Sequence, residues 1–534
     1  MCNAGSHTVL QRIFERTAAN QADKVGCIKF IYICLVWKDK VQVNNTLRLT
    51  GRRLVPGGER KLYRPARIAF SGFRWGRGGI QGPTVRVGAS QAVHHFDADK
   101  SSNDHDPSPP HETDGMKEPT SPSHRTPRFI RRHLLSRSTL RKLVALFLIW
   151  TIVEAQLIYY RIARAEHEYE AHAVLAKNPP RIYIASLHWN NERILRSNWN
   201  KQVVDLARAF GPDNVFVSVY ESGSWDGSKG ALRQLDHELG KLGVARQITL
   251  EKATHADEMA ATPTGSGWVN NPDDGTKKLL RRIPFLSKLR NISLQPLRDL
   301  AENGTVFDHV LFLGDVVFTV SDVVALLNTN GGHYAAACSL DFSKPPRYYD
   351  TFALRDSAGH EHASQTWPYF RSSKSRNAML YGAPVPVSSC WNGIVAMPTS
   401  AFTGTSGGLK FRGIDDTLAE AHLEGSECCL VHADNPASRT RGVFLNPTVR
   451  VGYSPEAYLK VHPEGNSWLS TIGIYTGLWK NRFARWFSTP WFKERQVRGR
   501  VRQWEQEGEN REEPGEFCLI NEMQVIVHNG WKHL

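Results

Sequence analysis

The sequence has no cysteines at CxxC spacing, no zinc-finger ligand pattern, no helix-turn-helix pattern and no aromatic RNA-binding signature. Those absences argue against a structural zinc site and the common nucleic-acid modules. The formal charge of +15 would otherwise invite a phosphate-binding reading. Nearly all of that excess lies in the first 142 residues, where the basic flank of a membrane anchor accounts for part of it. Nucleic acid is therefore not expected as a partner.

Cysteine is sparse, with eight residues in 534: Cys2, Cys27, Cys34, Cys338, Cys390, Cys428, Cys429 and Cys518. Five follow the apolar segment described next, so an oxidising compartment would leave at least one thiol unpaired. The vicinal Cys428 and Cys429 cannot easily bridge to each other. One of them pairing with Cys390 or Cys338, or both staying as buried thiols, are the open alternatives.

Long apolar runs are equally scarce. Residues 143–160 (LVALFLIWTIVEAQLIYY) form the one run near spanning length, covering roughly 27 Å at ~1.5 Å per residue. Glu154 within it costs about 2.5–3.5 kcal/mol on insertion scales. The ten Leu, Ile, Val and Phe residues of the run contribute about 0.3–0.6 kcal/mol each in the opposite sense, so insertion is favoured narrowly. A buried helix of a soluble domain is the alternative. Arg125, Arg128, Arg131, Arg132, Arg137, Arg141 and Lys142 precede the run without an acid among them, which predicts a cytosolic N-terminus. No cleavable small-residue site follows, which argues against a removed signal peptide.

Upstream, residues 97–126 are rich in Asp, Ser, Pro, His and Thr and are expected to be a disordered cytosolic linker. Residues 1–96 show no coherent period. The expected organisation is a cytosolic tail over 1–124, a basic flank over 125–142, a signal anchor over 143–160 and a stem over 161–180. A catalytic domain over 181–462 and a C-terminal extension over 463–534 packed on it complete the chain.

From Arg181 the pattern changes. RIYIASL reads as a strand, and Leu195, Trp199, Val203, Leu206 and Phe210 then recur at helical steps. VFVSVY at 215–220 is a second buried strand, and Leu232, Leu235, Leu239 and Leu242 mark a second helix before ARQITL. This alternation predicts an α/β fold with a parallel sheet flanked by helices. Ligands bind beyond the carboxyl ends of such strands, which puts HWNNE (188–192) and ESGSWDGSK (221–229) on the functional edge.

HVLFLGDVVF at 309–318 brings a third strand end, with Asp315 where a buried strand emerges. A carboxylate there is placed to hold a hard divalent cation, Mn2+ or Mg2+, against a diphosphate. The alternative is an Asp that caps the following turn.

Nine stretches in order resemble the fungal capsule-associated α-1,3-mannosyltransferases over about residues 180–462. They are HWNNE with Leu195, VSVYESGSWDGSK, RIPFLSKLRNISLQPL, VLFLGDVVF, CSLDF with YYDTFALRDSAG, SSCWNGIVAM, FRGIDD, GSECCLVHAD and NPTVRVGY. The resemblance implies a GT-A-like nucleotide-sugar-binding domain, GDP-mannose as donor, a glycan acceptor, and a single-pass type II protein of the Golgi or another secretory membrane with its catalytic domain lumenal. An α donor giving an α product would mean retention of configuration. Two positions depart from the family pattern: Gly314 stands where an Asn usually precedes the metal-candidate Asp, and Gly227-Ser228 replaces the usual continuation before Lys229.

Asp315 is the candidate metal ligand and catalytic residue, with Glu427 and Asp416 as candidates to orient or deprotonate the acceptor hydroxyl, and Asp415 a competitor. Glu192 and Glu221 are candidates for ribose or sugar hydroxyls, although Glu192 can equally cap its helix. Asp226 and Lys229 are candidates to orient sugar and diphosphate, or are solvated loop charges. Arg281, Arg282 and Arg290 are possible phosphate clamps, and the resemblance adds Arg355 and Asp356 as binding candidates. Trp391 and Asn392 would serve as a sugar platform and its hydrogen-bonding partner, with core packing of the Trp as the alternative. A carbohydrate hydrolase, which also uses paired acids, and an inactive membrane-tethered glycan-binding protein remain the competing functions.

Overall fold

The computed structural model describes residues 137–172, 175–404, 408–465 and 467–534. The expected tail, 1–124, and the basic flank as far as 136 lie outside the described residues.

The frame is a nine-stranded sheet built from β1 (Ile182–His188), β2 (Val215–Glu221), β3 (Ala245–Leu250), β6 (His309–Leu313), β7 (Ala336–Phe342), β8 (Arg355–Asp356), β9 (Val385–Ser389), β10 (Ile394–Pro398) and β12 (Val443–Gly452). Shorter strands pair outside it: β4 (Trp268–Asn271) with β5 (Asp274–Leu280), β11 (Glu424–Gly425) with β13 (Leu519–Ile520), and β14 (Gln524–Val527) with β15 (Gly530–His533). The sheet order is β3-β2-β1-β6-β10-β7-β12-β9-β8. β1 is parallel to β2, with Ile182 opposite Val215, and also to β6, with Ile182 opposite His309. β10 is antiparallel to both β6 and β7, so the sheet is mixed rather than wholly parallel.

Helices cover both faces because the strands are apolar runs buried on two sides. Of those used below, α1 is Arg137–His172, α2 Asn200–Phe210, α3 Ser228–Lys241, α4 Arg282–Ser293, α5 Glu427–Asp434, α6 Thr471–Phe487 and α7 Trp491–Gln506. Leu195, Trp199, Val203, Leu206 and Phe210 are all buried in one core on the β1–β2 side, as their spacing predicts. The segment is not one regular helix, however. Leu195–Trp199 form a π-helical turn, an insertion that often marks functional sites. It brings the Trp199 indole edge-on to His188, 4.4 Å between ring centres, and its Nε1 donates to Gly314 O at 3.0 Å.

The expected span and stem are not separate elements, since α1 runs unbroken from Arg137 to His172. Its part from Ser138 to Glu168 is long and apolar enough to cross a membrane. Glu154 is not a bare carboxylate in that run: Arg482 of α6 reaches both its oxygens, at 2.6 and 2.8 Å. From Thr151 onward one face of α1 is packed on the domain, with Ala155, Ile158 and Ile162 in its main core.

The disulfides correct the sequence expectation. Cys338 on β7 pairs with Cys390, and Cys429 on α5 pairs with Cys518, leaving Cys428 as the buried free thiol among the described residues. Cys390 lies just beyond β9, in the turn before β10, and β10 pairs with β7, so the sheet brings Cys390 to Cys338 rather than to the vicinal pair. The second bridge ties the C-terminal segment to α5, beside the β11–β13 pair.

Candidate functional site

Strand order reverses at β1, because its successor β2 lies on one side and β6 on the other. Such a switch point leaves an opening beyond the strands' carboxyl ends. There the structure has a cavity of about 700 Å³, floored by Ala185, Leu187, Phe312, Leu313 and Gly314. Asp315, Asp350, Glu427, Arg282 and Arg290 bring charge to it, and Tyr349, Trp391 and Tyr453 add aromatic surface.

Asp315 is the central acid. Asn191, in the loop after β1, donates Nδ2 to its Oδ2 at 2.9 Å. Asn191 is itself fixed: its Oδ1 accepts the Trp189 N–H at 3.1 Å, and its N–H donates to Ser228 Oγ at 2.8 Å. Burial pushes the Asp315 carboxyl up to about 6, opposed by the bond from Asn191. A buried anion with one oxygen engaged is a site that gains from a cation. Gly314 has a local reason: a Cβ there would lie 2.8 Å from the carbonyl oxygen of Gly393, whose strand crosses close by. The close approach of two backbones takes the place of a polar side chain.

A second acidic group ends β7. Asp341 is buried and accepts Asn392 Nδ2 at 2.8 Å, Tyr453 Oη at 3.1 Å and the Asp350 N–H at 3.2 Å. Burial and the neighbouring Asp350 both raise its carboxyl above the ordinary range. Asn392 also donates to Asp350 O at 3.0 Å, so it supports these acids from behind rather than lining the cavity. Burial and the same acids, Asp341 first and then Asp315 and Asp350, raise the Tyr453 phenol too, which keeps it a hydrogen-bond donor.

On the opposite wall, Ser426 caps α5 and aims its first residue, Glu427, at α4. Arg290 Nε donates to Glu427 Oε1 at 3.0 Å, and its guanidinium lies 4.7 Å over the Trp391 ring. Phe312 and Phe411 hold that ring at 4.9 and 5.5 Å. Arg282 donates to Gln524 Oε1 at 2.6 Å and lies 4.5 Å over Trp531, so the β14–β15 hairpin closes this side.

The structure places other sequence candidates away from the cavity. Glu192 accepts the Gly227 N–H at 3.0 Å and pairs with Arg196 at 2.8 Å, both near the surface. Asp226 accepts the N–H groups of Glu192 and Ser228, so these two acids lace the loops after β1 and β2 together. Glu221 is fully buried and pairs with Lys229 at 3.2 Å, and Lys229 also donates to Ser224 O. Asp416 pairs with buried Arg281 at 2.7 Å, and Arg281 bonds Glu424 at 2.8 Å on its other side. Asp415 caps the turn at Thr417.

Arg355 spends its guanidinium on the carbonyl oxygens of Phe352, Leu354, Phe517 and Cys518. Asp356 accepts the N–H groups of Ala358, His360 and Ser372. Both pin the 352–372 loop, Arg355 to the C-terminal segment and Asp356 to itself. Each is a charge whose partners local spacing does not reveal.

Sequence reasoning passed over Asn191, Asp341, Asp350 and Tyr453. Asn191 precedes Glu192 in the same motif, and preference for a carboxylate hid the amide. Asp341 was visible by the rule that found Asp315, an acid at the end of an apolar strand.

Residues 181–434 match a family model described as cryptococcal mannosyltransferase 1. Comparison with curated proteins found no match. Among solved structures, a mannosyltransferase from Pyrobaculum calidifontis in complex with GDP-Man and Mn2+ is similar at 11% identity, covering 68% of this chain and 89% of its own, with a TM-score of 0.28. S. aureus TarS 1-349 in complex with UDP-GlcNAc is similar at 11% identity, covering 50% of this chain and 55% of its own, with a TM-score of 0.26. GalNAc-T7 with UDP, GalNAc and Mn2+ is similar at 11% identity, covering 51% of this chain and 43% of its own, with a TM-score of 0.29. The matched stretch runs from β1 through α5 and takes in the cavity-lining residues from Ala185 to Cys428, so that part of the cavity lies within the region that resembles the cryptococcal mannosyltransferases.

Proposed function

We propose that this glycosyltransferase moves mannose from GDP-mannose to a glycan acceptor in α-1,3 linkage, assisted by Mn2+ or Mg2+ at Asp315. It acts on the lumenal side of a Golgi or other secretory membrane, anchored as a single-pass type II protein by α1. The observation that carries this reading is the Asn191–Asp315 bond at 2.9 Å across the switch point, inside the family region. The family likeness supports this choice of donor, linkage and compartment.

The residues present fit a hard cation: a carboxylate buried enough to be raised to about 6, one oxygen held by an amide, and more oxygen donors nearby in Asp350 and Tyr453. When bound, such an ion neutralises charge developing on the leaving diphosphate. Asn191 fixes the Asp315 rotamer before substrate arrives. Arg282 and Arg290 supply positive potential for the diphosphate, and Arg290 also holds Glu427 against Trp391. Glu427 accepts a hydrogen bond from the attacking hydroxyl and orients it. The exposed part of the Trp391 ring packs on the C–H face of a sugar.

A donor panel containing GDP-mannose, run on the detergent-solubilised full chain with and without Mn2+, tests this. Turnover confined to GDP-mannose and lost on chelation is the expected result. Glycan cleavage without any sugar nucleotide would establish a hydrolase, and glycan binding with no turnover from any donor an inactive binding protein.

A further inference from the structure

The exposed part of α1 is too short to span a bilayer alone. From Leu140 to Ile152 its apolar side chains are exposed, Leu146 at 62% and Trp150 at 55%, while Thr151 turns a buried face to the domain. The exposed stretch from Leu140 to Ile152 rises about 20 Å at ~1.5 Å per residue. A thin secretory bilayer has a hydrocarbon core of about 27 Å. The remaining roughly 7 Å fall where one face of α1 is already packed on the domain.

Helix α6 runs back beside this stretch of α1. Thr471 donates to Gln156 at 3.1 Å, Arg482 clasps Glu154, and Trp479 meets Phe147 edge-on at 5.4 Å. The end of α6 thus lies level with the exposed part of α1. There the turn into α7 presents Phe483, Trp486, Phe487, Trp491 and Phe492, with Phe487 80% and Phe492 72% exposed. Lys480, Arg482, Arg485 and Lys493 are interleaved, and no acid occurs between Thr471 and Lys493. Aromatic rings with cations on long stems suit the boundary between acyl chains and anionic headgroups.

We propose that the α6–α7 elbow is a second membrane contact, seated in the bilayer beside the exposed part of α1. This rests on α1 as a membrane-spanning helix. The Glu154–Arg482 pair then gains a definite role, because it lets a carboxylate and a guanidinium enter the interface as a neutralised unit. The elbow also fixes the domain close against the membrane, where its anchor alone would leave it free to tilt.

The test uses the full chain with Cys2, Cys27 and Cys34 replaced by Ser, reconstituted in phosphatidylcholine vesicles with one-fifth anionic lipid. A nitrobenzoxadiazole label is placed in turn on Phe487→Cys, Leu146→Cys and Arg233→Cys, the last on exposed α3. Doxyl-labelled lipids should quench the label at 487 at least twofold more than that at 233, and iodide should reach 487 less. Equal iodide access at 487 and 233 would overturn the proposal. Shielding from iodide without lipid quenching would overturn it in favour of a second copy of the chain on that face. Quenching at 146 alone leaves the span standing and removes the elbow, and quenching at neither removes both.

Discussion

Asn191, three residues past the end of β1, holds Asp315, two residues past the end of β6, through a 2.9 Å hydrogen bond across the point where the strand order reverses. Two loops more than a hundred residues apart meet there because their strands are neighbours in the sheet. The bond sets which oxygen of Asp315 is committed and which way the carboxylate faces.

Asp315→Asn should lower transfer from GDP-mannose by at least about 100-fold while the fold persists, because an amide keeps the shape but not the charge a hard cation needs. If Asp315 only caps a turn, Asn would cost a few tenths of a kcal/mol at most. Asn191→Ala should leave some activity and raise the Mn2+ concentration for half-maximal rate by about 10- to 100-fold, as loss of an orienting partner does. Initial rates across a Mn2+ titration, with circular dichroism on each variant, check both. Near-normal rate and metal response in Asp315→Asn would remove it from the site.

Arg290→Lys keeps the charge but loses the planar stack on Trp391 and the Nε bond to Glu427. Transfer should fall about tenfold or more through misplacement of Glu427, and Glu427→Gln should fall further. Thermal midpoints read alongside kcat and KM separate this from simple instability. Wild-type kinetics in Glu427→Gln would exclude it from acceptor activation.

The sequons NIS at Asn291 and NGT at Asn303 lie on the side of the anchor proposed to be lumenal, and they should differ. Both amide atoms of Asn291 are engaged by the Phe411 backbone, at 2.8 and 3.0 Å, in a partly buried setting. Asn303 is exposed at a helix end. Glycosidase-sensitive mass should therefore map to Asn303 and not to Asn291. Glycan at Asn44, in the expected cytosolic tail, with none at Asn303 would reverse the topology.

Burial lowers the His432 imidazole from 6.5 to about 4, its bond to Cys390 O notwithstanding. The unfolded chain takes up this proton first as pH falls, so the stability it contributes is complete above about pH 6.5 and lost towards pH 4, by about 3 kcal/mol. Buried Asp315 and Asp341 are shifted upward and act in the opposite sense, so the informative measurement is a difference between variants. His432→Gln should be less stable than wild type at pH 7, with the gap narrowing as pH approaches 4.5 in denaturant titrations. A gap independent of pH would mean that folding does not shift the His432 imidazole.

The sequence alone determined the strands and helices of 181–250, the π-helical turn at Leu195–Trp199 excepted, because burial of one helix face and of both strand faces writes a local apolar pattern into the residues. Asp315 was legible for the same reason: a carboxylate ending an apolar strand is a local pattern. Glu192 and Asp226 also follow strand ends, yet the fold turns them onto each other's loops, and spacing cannot say which way a loop side chain faces. Arg355 and Asp416 are consumed by partners up to 163 residues away. The cavity itself, the pairing of Cys429 with Cys518, and the clasp of Glu154 by Arg482 were decided only in three dimensions. In each case the energetically decisive neighbour is remote in sequence, and a buried charge or thiol takes its role from that neighbour.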